Sequence, residues 1–139
     1  MALGILLIAC GLTGLWDGFT TFYGTHVILT GSTEVASNIS TLASGDLIKV
    51  IASAFFAVII LGFLFGTKHV WRSKGDIFTS ALLRMFWVTA FIYDIYTSFM
   101  GNRDIIIGSA GSTNQFVILI GMTILVSGAP IIFSLMLDD

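Results

Sequence analysis

The chain of 139 residues is long enough for one domain, and it is strongly apolar: 56% of its residues are hydrophobic, 10% are charged and the mean hydropathy is +1.00. Soluble domains carry about 25% charged residues, so a water-soluble fold is excluded. The net charge of −2, the single cysteine and the two histidines argue against nucleic acid as a partner, an internal disulfide and a multi-cysteine metal site. We therefore predict an integral membrane protein in contact with lipids, with no metal site.

Four apolar segments follow one another along the chain, each about the 20 residues that cross ~30 Å of hydrocarbon. They cover residues 2–29, 47–70, 77–99 and 116–137, and the polar segments 31–46, 71–76 and 108–115 connect them. Because a helical bundle satisfies its backbone hydrogen bonds in lipid, we predict an all-α protein with four transmembrane helices in a single domain. The short second connection predicts that the second and third helices are antiparallel neighbours.

Basic residues predict the orientation in the membrane. The side of the middle connection carries four of them and the opposite side two: Lys68, Arg72, Lys74 and Arg84 against Lys49 and Arg103. Cytoplasmic loops carry an excess of Lys and Arg. The middle connection and both termini are therefore predicted to be cytoplasmic.

Cys10 follows the letters LIA at the start of the chain, a sequence that resembles a lipoprotein cleavage site. A basic segment and a long apolar run should precede such a site, and neither is present. We therefore interpret Cys10 as a buried residue of the first helix.

Two segments of sixteen residues resemble each other, WDGFTTFYGTHVILTG at 16–31 and YDIYTSFMGNRDIIIG at 93–108. They are offset by 77 residues and identical at six positions. This predicts a tandem duplication of a helical hairpin, with one copy at about 1–71 and the other at about 77–139. Because each copy contains two spans, both copies cross the membrane in the same direction and form a parallel repeat.

Each copy carries a polar stripe along one helix face. Residues at i, i+3, i+4 and i+7 share a face, and eight residues fit this spacing: Asp17, Thr20, Thr21 and Gly24 in the first copy, and Asp94, Thr97, Ser98 and Gly101 in the second. Hydroxyl groups and glycine on one face suit contact with another helix, because hydroxyls bond across it and glycine lets backbones approach. We therefore predict that both stripes pack against neighbouring protein.

Two uses of these stripes remain open. The carboxylates and hydroxyls could line a cation or proton site, because hard cations take oxygen ligands. Alternatively, each carboxylate caps or bridges helices, or pairs with Lys49 or Arg103 on the same outer side of the membrane. The structural use is the more common one, so the sequence favours it.

The stripe glycines Gly24 and Gly101 are predicted to end or bend their helices. Short β-branched runs follow them at 25–31 and 102–108, and we expect these to be extended or interfacial. At ~1.5 Å per residue, Asp94 would then lie about 25 Å along its helix, in the outer part of the bilayer. Asp17 is expected at a similar height.

Chemical motifs are absent from the sequence. There is no nucleophile–base pair, phosphate-binding loop, CxxC or HExxH, so we predict neither an enzyme nor any catalytic residue. His26 and His69 could suggest haem or quinone chemistry, but the expected topology places them at opposite membrane faces, where they cannot bind one haem together, so no cofactor is predicted. Pro130 inside the fourth segment predicts a kink.

Three classes of function follow, in decreasing order of preference. The first is a non-enzymatic packing or docking subunit of a larger homo- or hetero-oligomeric membrane assembly, whose partners are lipids and other membrane subunits or copies of itself. The second is an oligomeric cation or proton channel or transporter that uses the Asp/Thr stripes. The third is a quinone- or haem-associated anchor subunit, which the histidine positions make the weakest.

Overall fold

The computed structural model describes residues 2–31, 44–108 and 111–137, so most of the predicted connection at 31–46 lies outside the described residues. The helices are α1 (Ala2–Thr30), α2 (Ser44–Phe65), α3 (Thr67–Arg72), α4 (Ile77–Asn102), a π-helical turn (Arg103–Ile107) and α5 (Thr113–Met136). All elements in the described ranges are helical. Four helices, α1, α2, α4 with its π-helical turn, and α5, are long and apolar enough to cross a membrane. This confirms the prediction of an all-α protein with four such helices.

The distribution of polar and apolar side chains is the reverse of that in a soluble protein. Among the described residues, fifteen polar or charged side chains are buried but only ten apolar ones. Large apolar side chains such as Ile8, Leu15 and Leu125 are 67–74% exposed on the outside. Lipid accepts apolar surface but offers no hydrogen bonds to polar groups, so this arrangement suits a chain that is surrounded by lipid.

The contact between α2 and α4 is apolar, and we call it the apolar seam. Its buried residues are Ile60, Leu64 and Ala90, with aromatic rings packed around them. Ring contacts fix the direction of the two helices, because Phe56 contacts Tyr93 whereas the later Phe63 contacts the earlier Phe86. The helices are therefore antiparallel neighbours, as predicted from the short connection between them.

Capping residues precede the first residues of α4 and α5. Asp76 precedes α4 and its Oδ1 accepts a 3.0 Å hydrogen bond from the backbone amide of Thr79. At the start of α5, Ser112 and Gln115 form a capping box, in which each side chain bonds the backbone amide of the other residue. Both helices therefore begin at residues that satisfy otherwise unpaired backbone amides.

The prediction that the helices end near Gly24 and Gly101 and continue as extended segments is wrong. Segments 25–31 and 102–108 are helical up to their closing glycines. The chain leaves the helical conformation only there, at Gly31 and Gly108. Their φ angles of 68° and 65° fall in the left-handed region that favours glycine.

Longer helices change the expected depth of the two carboxylates. Asp17 lies near the middle of α1 (Ala2–Thr30), and Asp94 lies well inside the span Ile77–Ile107. The expectation of a position near the outer helix ends depended on helices that end at the stripe glycines. Both carboxylates are instead central to their helices.

Three smaller predictions have different outcomes. Cys10 is buried, as predicted, with 6% of its surface exposed. The second apolar segment is interrupted at Gly66, which separates α2 from α3, although the bond from the amide of Gly66 to the Gly62 carbonyl continues the helical pattern. α5 is helical on both sides of Pro130, and the kink there stays a prediction.

Candidate functional site

The polar stripes of α1 and α4 face each other inside the chain. All eight predicted residues are buried, and the six with side chains beyond Cα have no exposed surface. We call this contact the polar seam; it consists of Asp17, Thr20, Thr21, Gly24, Asp94, Thr97, Ser98 and Gly101. Each stripe therefore packs against the other stripe of the same chain.

Each carboxylate in the polar seam is held by a hydroxyl of the opposite helix. Ser98 Oγ on α4 donates to Asp17 Oδ1 at 2.9 Å, and Thr21 Oγ1 on α1 donates to Asp94 Oδ1 at 2.6 Å. The two hydroxyl oxygens of Thr21 and Ser98 are themselves 3.1 Å apart. Two acids and two hydroxyls thus form one hydrogen-bonded group between the helices.

The two carboxyl groups are connected through these two hydroxyls, in the order Asp17 Oδ1, Ser98 Oγ, Thr21 Oγ1 and Asp94 Oδ1. Ser127 on α5 adds a third hydroxyl, whose Oγ donates to Asp17 Oδ1 at 3.3 Å. The Oδ2 atom of each acid has no hydroxyl, amide or basic partner among the described residues. Three helices therefore enclose an acid pair that keeps one unpaired oxygen on each member.

Contacts across the polar seam occur twice, with the roles of α1 and α4 exchanged. Thr21 and Ser98 are related by the 77-residue offset, as are Asp17 and Asp94, so the bonds Thr21–Asp94 and Ser98–Asp17 are equivalent. Such reciprocity is the property of a two-fold symmetric interface. The seam therefore has a local two-fold relation around the acid pair.

Longer side chains repeat this relation farther from the centre. Trp16 Nε1 on α1 donates to Asn102 Oδ1 on α4 at 2.9 Å. Tyr93 Oη on α4 donates to Thr25 Oγ1 on α1 at 3.1 Å. Both residue pairs are again related by the 77-residue offset. The polar seam thus carries a second layer of interhelical hydrogen bonds.

Gly24 and Gly101 allow the two helices to approach this closely. A Cβ atom at Gly24 would overlap the backbone carbonyl of Thr97, and one at Gly101 would lie 2.5 Å from the carbonyl oxygen of Thr20. No side chain fits at either position without moving a backbone. The physical role of both glycines is therefore close helix contact.

Neither of the predicted charge partners is among the contacts that the structure describes for the two carboxyls. Lys49 lies in the first turns of α2, where its backbone carbonyl accepts a 2.7 Å bond from Ser53. Arg103 follows α4 in the π-helical turn. The described neighbours of the acid pair are neutral hydroxyls.

The histidines lie apart from the acid pair. His26 is 3% exposed on α1 and stacks on Phe22 with ring centroids 6.3 Å apart. His69 is exposed on α3, and no described contact joins the two imidazoles. Across residues 2–31, 44–108 and 111–137, no three or more His, Cys, Asp or Glu side chains cluster as metal ligands.

Five residues of the site were missed from the sequence: Trp16, Thr25, Tyr93, Asn102 and Ser127. Four of them continue the two stripes by one position before or eight positions after the aspartate, so a longer helical window would have included them. The signal for Ser127 was weaker. The sequence showed only that it is one of a few polar residues within the apolar helix α5.

A scan against protein-family models, a search of curated proteins and a search of solved structures each found no match. The class of this protein is therefore described from its own fold and polar seam. It is a protein of four long apolar helices that enclose a pair of acidic side chains.

Proposed function

We propose that this chain is a membrane transport protein that binds protons or small cations at the Asp17–Asp94 pair. The observation that carries this proposal is a pair of carboxyl groups without exposed surface, connected through hydroxyls midway along helices long enough to cross a membrane. Ionisable groups inside membrane spans are costly, and they mark ion pathways and proton relays. This is the second of the functions expected from the sequence.

A purely structural use of the acids is less well supported. Glycine and hydroxyl side chains alone are enough to join membrane helices. The apolar seam of Ile60, Leu64 and Ala90 joins α4 to α2 without polar groups. Burying two acids in one hydrogen-bonded group adds a cost that helix packing does not require, which supports a role in binding.

A duplicated hairpin and a defined orientation belong to the same proposal. The reciprocal hydrogen bonds of the polar seam support a tandem repeat with copies at about 1–71 and 77–139. Lys68, Arg72 and Lys74 near the middle connection support a cytoplasmic position for both termini. The acid pair would then lie between the two copies.

Flux through reconstituted protein tests the transport function. Purified chain in liposomes with an internal pH dye should acidify or alkalinise the lumen when a potassium diffusion potential is imposed. The double variant Asp17→Asn plus Asp94→Asn should lose this flux while keeping its helical content. A matched control is Asp76→Asn, which removes a carboxyl outside the apolar helices and should leave the flux unchanged.

Either of two results would contradict the transport function. One is a wild-type flux no higher than that of empty liposomes under both proton and sodium or potassium gradients. The other is full flux in the double variant, since the acids would then take no part in it.

A packing or docking subunit of a larger membrane assembly is the second candidate. It is supported by the outer surface, where side chains such as Phe55 and Val58 of α2 are 66% and 68% exposed. Such a surface accepts lipid or an apolar helix of another subunit or copy. Native mass analysis of the complex from its own membrane would support this candidate if a stoichiometric membrane partner co-elutes.

A further inference from the structure

Arg84 is a basic residue within one of the four apolar helices. It follows Ile77, the first residue of the α4 span, by seven positions, which at ~1.5 Å per residue is about 10 Å along the helix. Its side chain is exposed on the outside of the four helices. Charged groups inside a membrane span are costly unless they are paired or reach the membrane surface. The guanidinium of Arg84 is therefore expected to have an anionic partner.

The indole ring of Trp71 positions this guanidinium. Arg84 Cζ lies 5.4 Å from the centroid of the Trp71 ring, which is a cation–π distance. The Trp71 ring packs in turn on Trp87, with centroids 5.6 Å apart and an interplanar angle of 83°. Trp87 Nε1 also donates a 2.9 Å hydrogen bond to Thr67 Oγ1, which ties the short helix α3 to α4. Packed rings therefore hold the cation in place.

The Arg84 side chain still has hydrogen bonds to give. A guanidinium carries five N–H donors in a planar fork that matches the oxygens of a phosphate or a carboxylate. The described contact of this guanidinium is the Trp71 ring, and a ring supplies no oxygen acceptor. Within the part of the chain that the structure describes, no hydrogen bond or ion pair joins Arg84 to a carboxylate. The site is therefore prepared for an anion.

A groove runs from Arg84 toward the middle of the α4 span, and we call it the Arg84 groove. Its first part has a volume of about 320 Å³ and is lined by Arg84, Met85, Val88 and Thr89. Thr89 also lines a second part of about 190 Å³ between α2 and α4, which extends to Tyr93. From Arg84 to Tyr93 the groove follows α4 for about 13 Å. A cation at the end nearer the membrane surface and an apolar channel toward the middle match the two parts of a phospholipid.

Other charges at this end of the helices favour a lipid with a net negative charge. Residues 66–84 contain four basic side chains and one acid, Asp76, which caps α4: the basic ones are Lys68, Arg72, Lys74 and Arg84. Asp138 and Asp139 follow α5 on the same side and lie outside the described residues. Basic clusters at the ends of membrane helices attract anionic lipid head groups.

We propose that the Arg84 groove binds one anionic phospholipid. Its phosphate accepts hydrogen bonds from the Arg84 guanidinium, which Trp71 positions, and one acyl chain lies along Met85, Val88 and Thr89. Free phosphate leaves the apolar part of the groove empty, and a lipid without net charge gains less from the basic segment. The groove is on the outside of the helices and the acid pair is inside, so this inference does not depend on the transport function.

Native mass spectrometry of the purified, delipidated chain in detergent measures this binding. Phosphatidylglycerol and phosphatidylcholine with the same acyl chains would be titrated in separate samples. Wild type should bind the first phosphatidylglycerol about fivefold more tightly than phosphatidylcholine, because ~1 kcal/mol for one basic side chain corresponds to this factor. Glycerophosphoglycerol, which is the same head group without acyl chains, should not compete at an equal concentration.

Two substitutions at Arg84 locate the site. Arg84→Gln should lower the affinity for phosphatidylglycerol to that for phosphatidylcholine. Arg84→Lys should recover part of the loss, because an ammonium keeps the charge but not the planar fork. Lys74→Gln is the matched control: it removes an exposed positive charge at the same end but outside the groove, and should stay within about twofold of wild type.

A substitution in the apolar part of the groove tests the acyl chain. Val88→Trp fills the groove without a change in charge and should weaken the binding of both lipids. Leu125→Trp, at a position of α5 that is 74% exposed, is its control and should leave the binding unchanged.

Wild type alone can overturn the site, so the test does not depend on the folding of a variant. Equal affinities of wild type for the two lipids, or competition by the free head group, would contradict it. Equal losses in Arg84→Gln and Lys74→Gln would reduce the effect to general surface charge. A dimer without retained lipid that Arg84→Gln dissociates would assign the groove to a second copy instead.

Discussion

The polar seam and the apolar seam solve the same packing problem with opposite chemistry. Leu64 in the apolar seam and Thr21 in the polar seam both have no exposed surface. The apolar seam joins α2 and α4 through side-chain packing and stacked rings. The polar seam joins α1 and α4 through glycines, hydroxyls and two acids.

Both seams hold helices together, and the difference is that only the polar seam contains ionisable groups. In lipid, apolar side chains gain no hydrophobic free energy from leaving their solvent, so either seam must be stabilised by close packing and interhelical bonds. The apolar seam achieves this without any charge. The acids of the polar seam are therefore more than helix packing requires, which is the reason for the proposal that they bind an ion.

The largest effect is expected where the two backbones of the polar seam meet. Gly24→Leu should prevent stable packing of α1 on α4 and lower the free energy of unfolding by more than about 4 kcal/mol, since a backbone carbonyl occupies the space. Gly101→Leu should cost the same because its contact is the reciprocal one. Unfolding of the purified variants in mixed micelles with rising denaturing detergent measures this.

Gly121→Leu is the matched control for both glycines. Nothing lies within 4 Å of the Cβ position at Gly121, so this change should be tolerated. Wild-type stability in Gly24→Leu would show that the close contact of α1 with α4 is absent.

Truncation in the apolar seam should give the next largest effect. Leu64→Ala leaves a cavity beside Ile60 and Ala90 and should cost about 2–4 kcal/mol. The flux of folded protein should persist, because no acid is touched. Leu15→Ala, at a position 73% exposed, should cost less than about 0.5 kcal/mol. Loss of flux in folded Leu64→Ala would contradict the proposed division of the two seams into packing and binding roles.

Smaller effects are expected from the outer layer of the polar seam. Tyr93→Phe removes only the hydroxyl that donates to Thr25, whereas Trp16→Phe removes the donor to Asn102 together with part of the indole ring. Interhelical hydrogen bonds in membranes contribute about 0.6 kcal/mol each, so Tyr93→Phe should lose about that much in the same unfolding assay and Trp16→Phe at least as much. Tyr96→Phe, at a half-exposed position, should be neutral. Wild-type stability in Tyr93→Phe or in Trp16→Phe would contradict these interhelical bonds.

Asp76 at the start of α4 should give the smallest effect, and only in acid. The hydrogen bonds from the Thr79 side chain and then from its backbone amide lower the pKa of the Asp76 carboxyl below its usual 3.8. A carboxyl with a lowered pKa in the folded state stabilises at higher pH, and this contribution is lost as the pH falls through the folded pKa. Melting temperatures below about pH 4 should therefore fall more for wild type than for Asp76→Asn. Parallel curves would contradict the cap.

Much of the fold could be predicted because it depends on length and spacing alone. Four apolar segments of membrane-spanning length gave four helices, and the i, i+3, i+4, i+7 spacing gave a buried face for Asp17 and Asp94. Helical spacing identifies a face, but it does not say what lies opposite. The contact of one stripe with the other therefore required the structure.

The errors around Gly24 and Gly101 have a related cause. Glycine can end a helix, and it can also let two helices approach closely. A glycine in a single sequence does not show which of these two roles it has. The β-branched residues after it favoured the first interpretation. In the structure, Gly24 and Gly101 lie buried in the contact between α1 and α4, so their role is close helix contact. The helical segments end instead at Gly31 and Gly108.

The most direct test of the account asks whether the two stripes meet within one chain. Thr21→Cys and Ser98→Cys would be combined in a Cys10→Ser background, because the two hydroxyls are 3.1 Å apart. Mild oxidation should produce a disulfide inside the monomer, seen as the loss of two hydrogens and of both free thiols by mass. A second pair, Thr21→Cys with Leu125→Cys at a lipid-exposed position, should keep its thiols. Disulfides only between chains, or free thiols in the first pair, would contradict the acid pair.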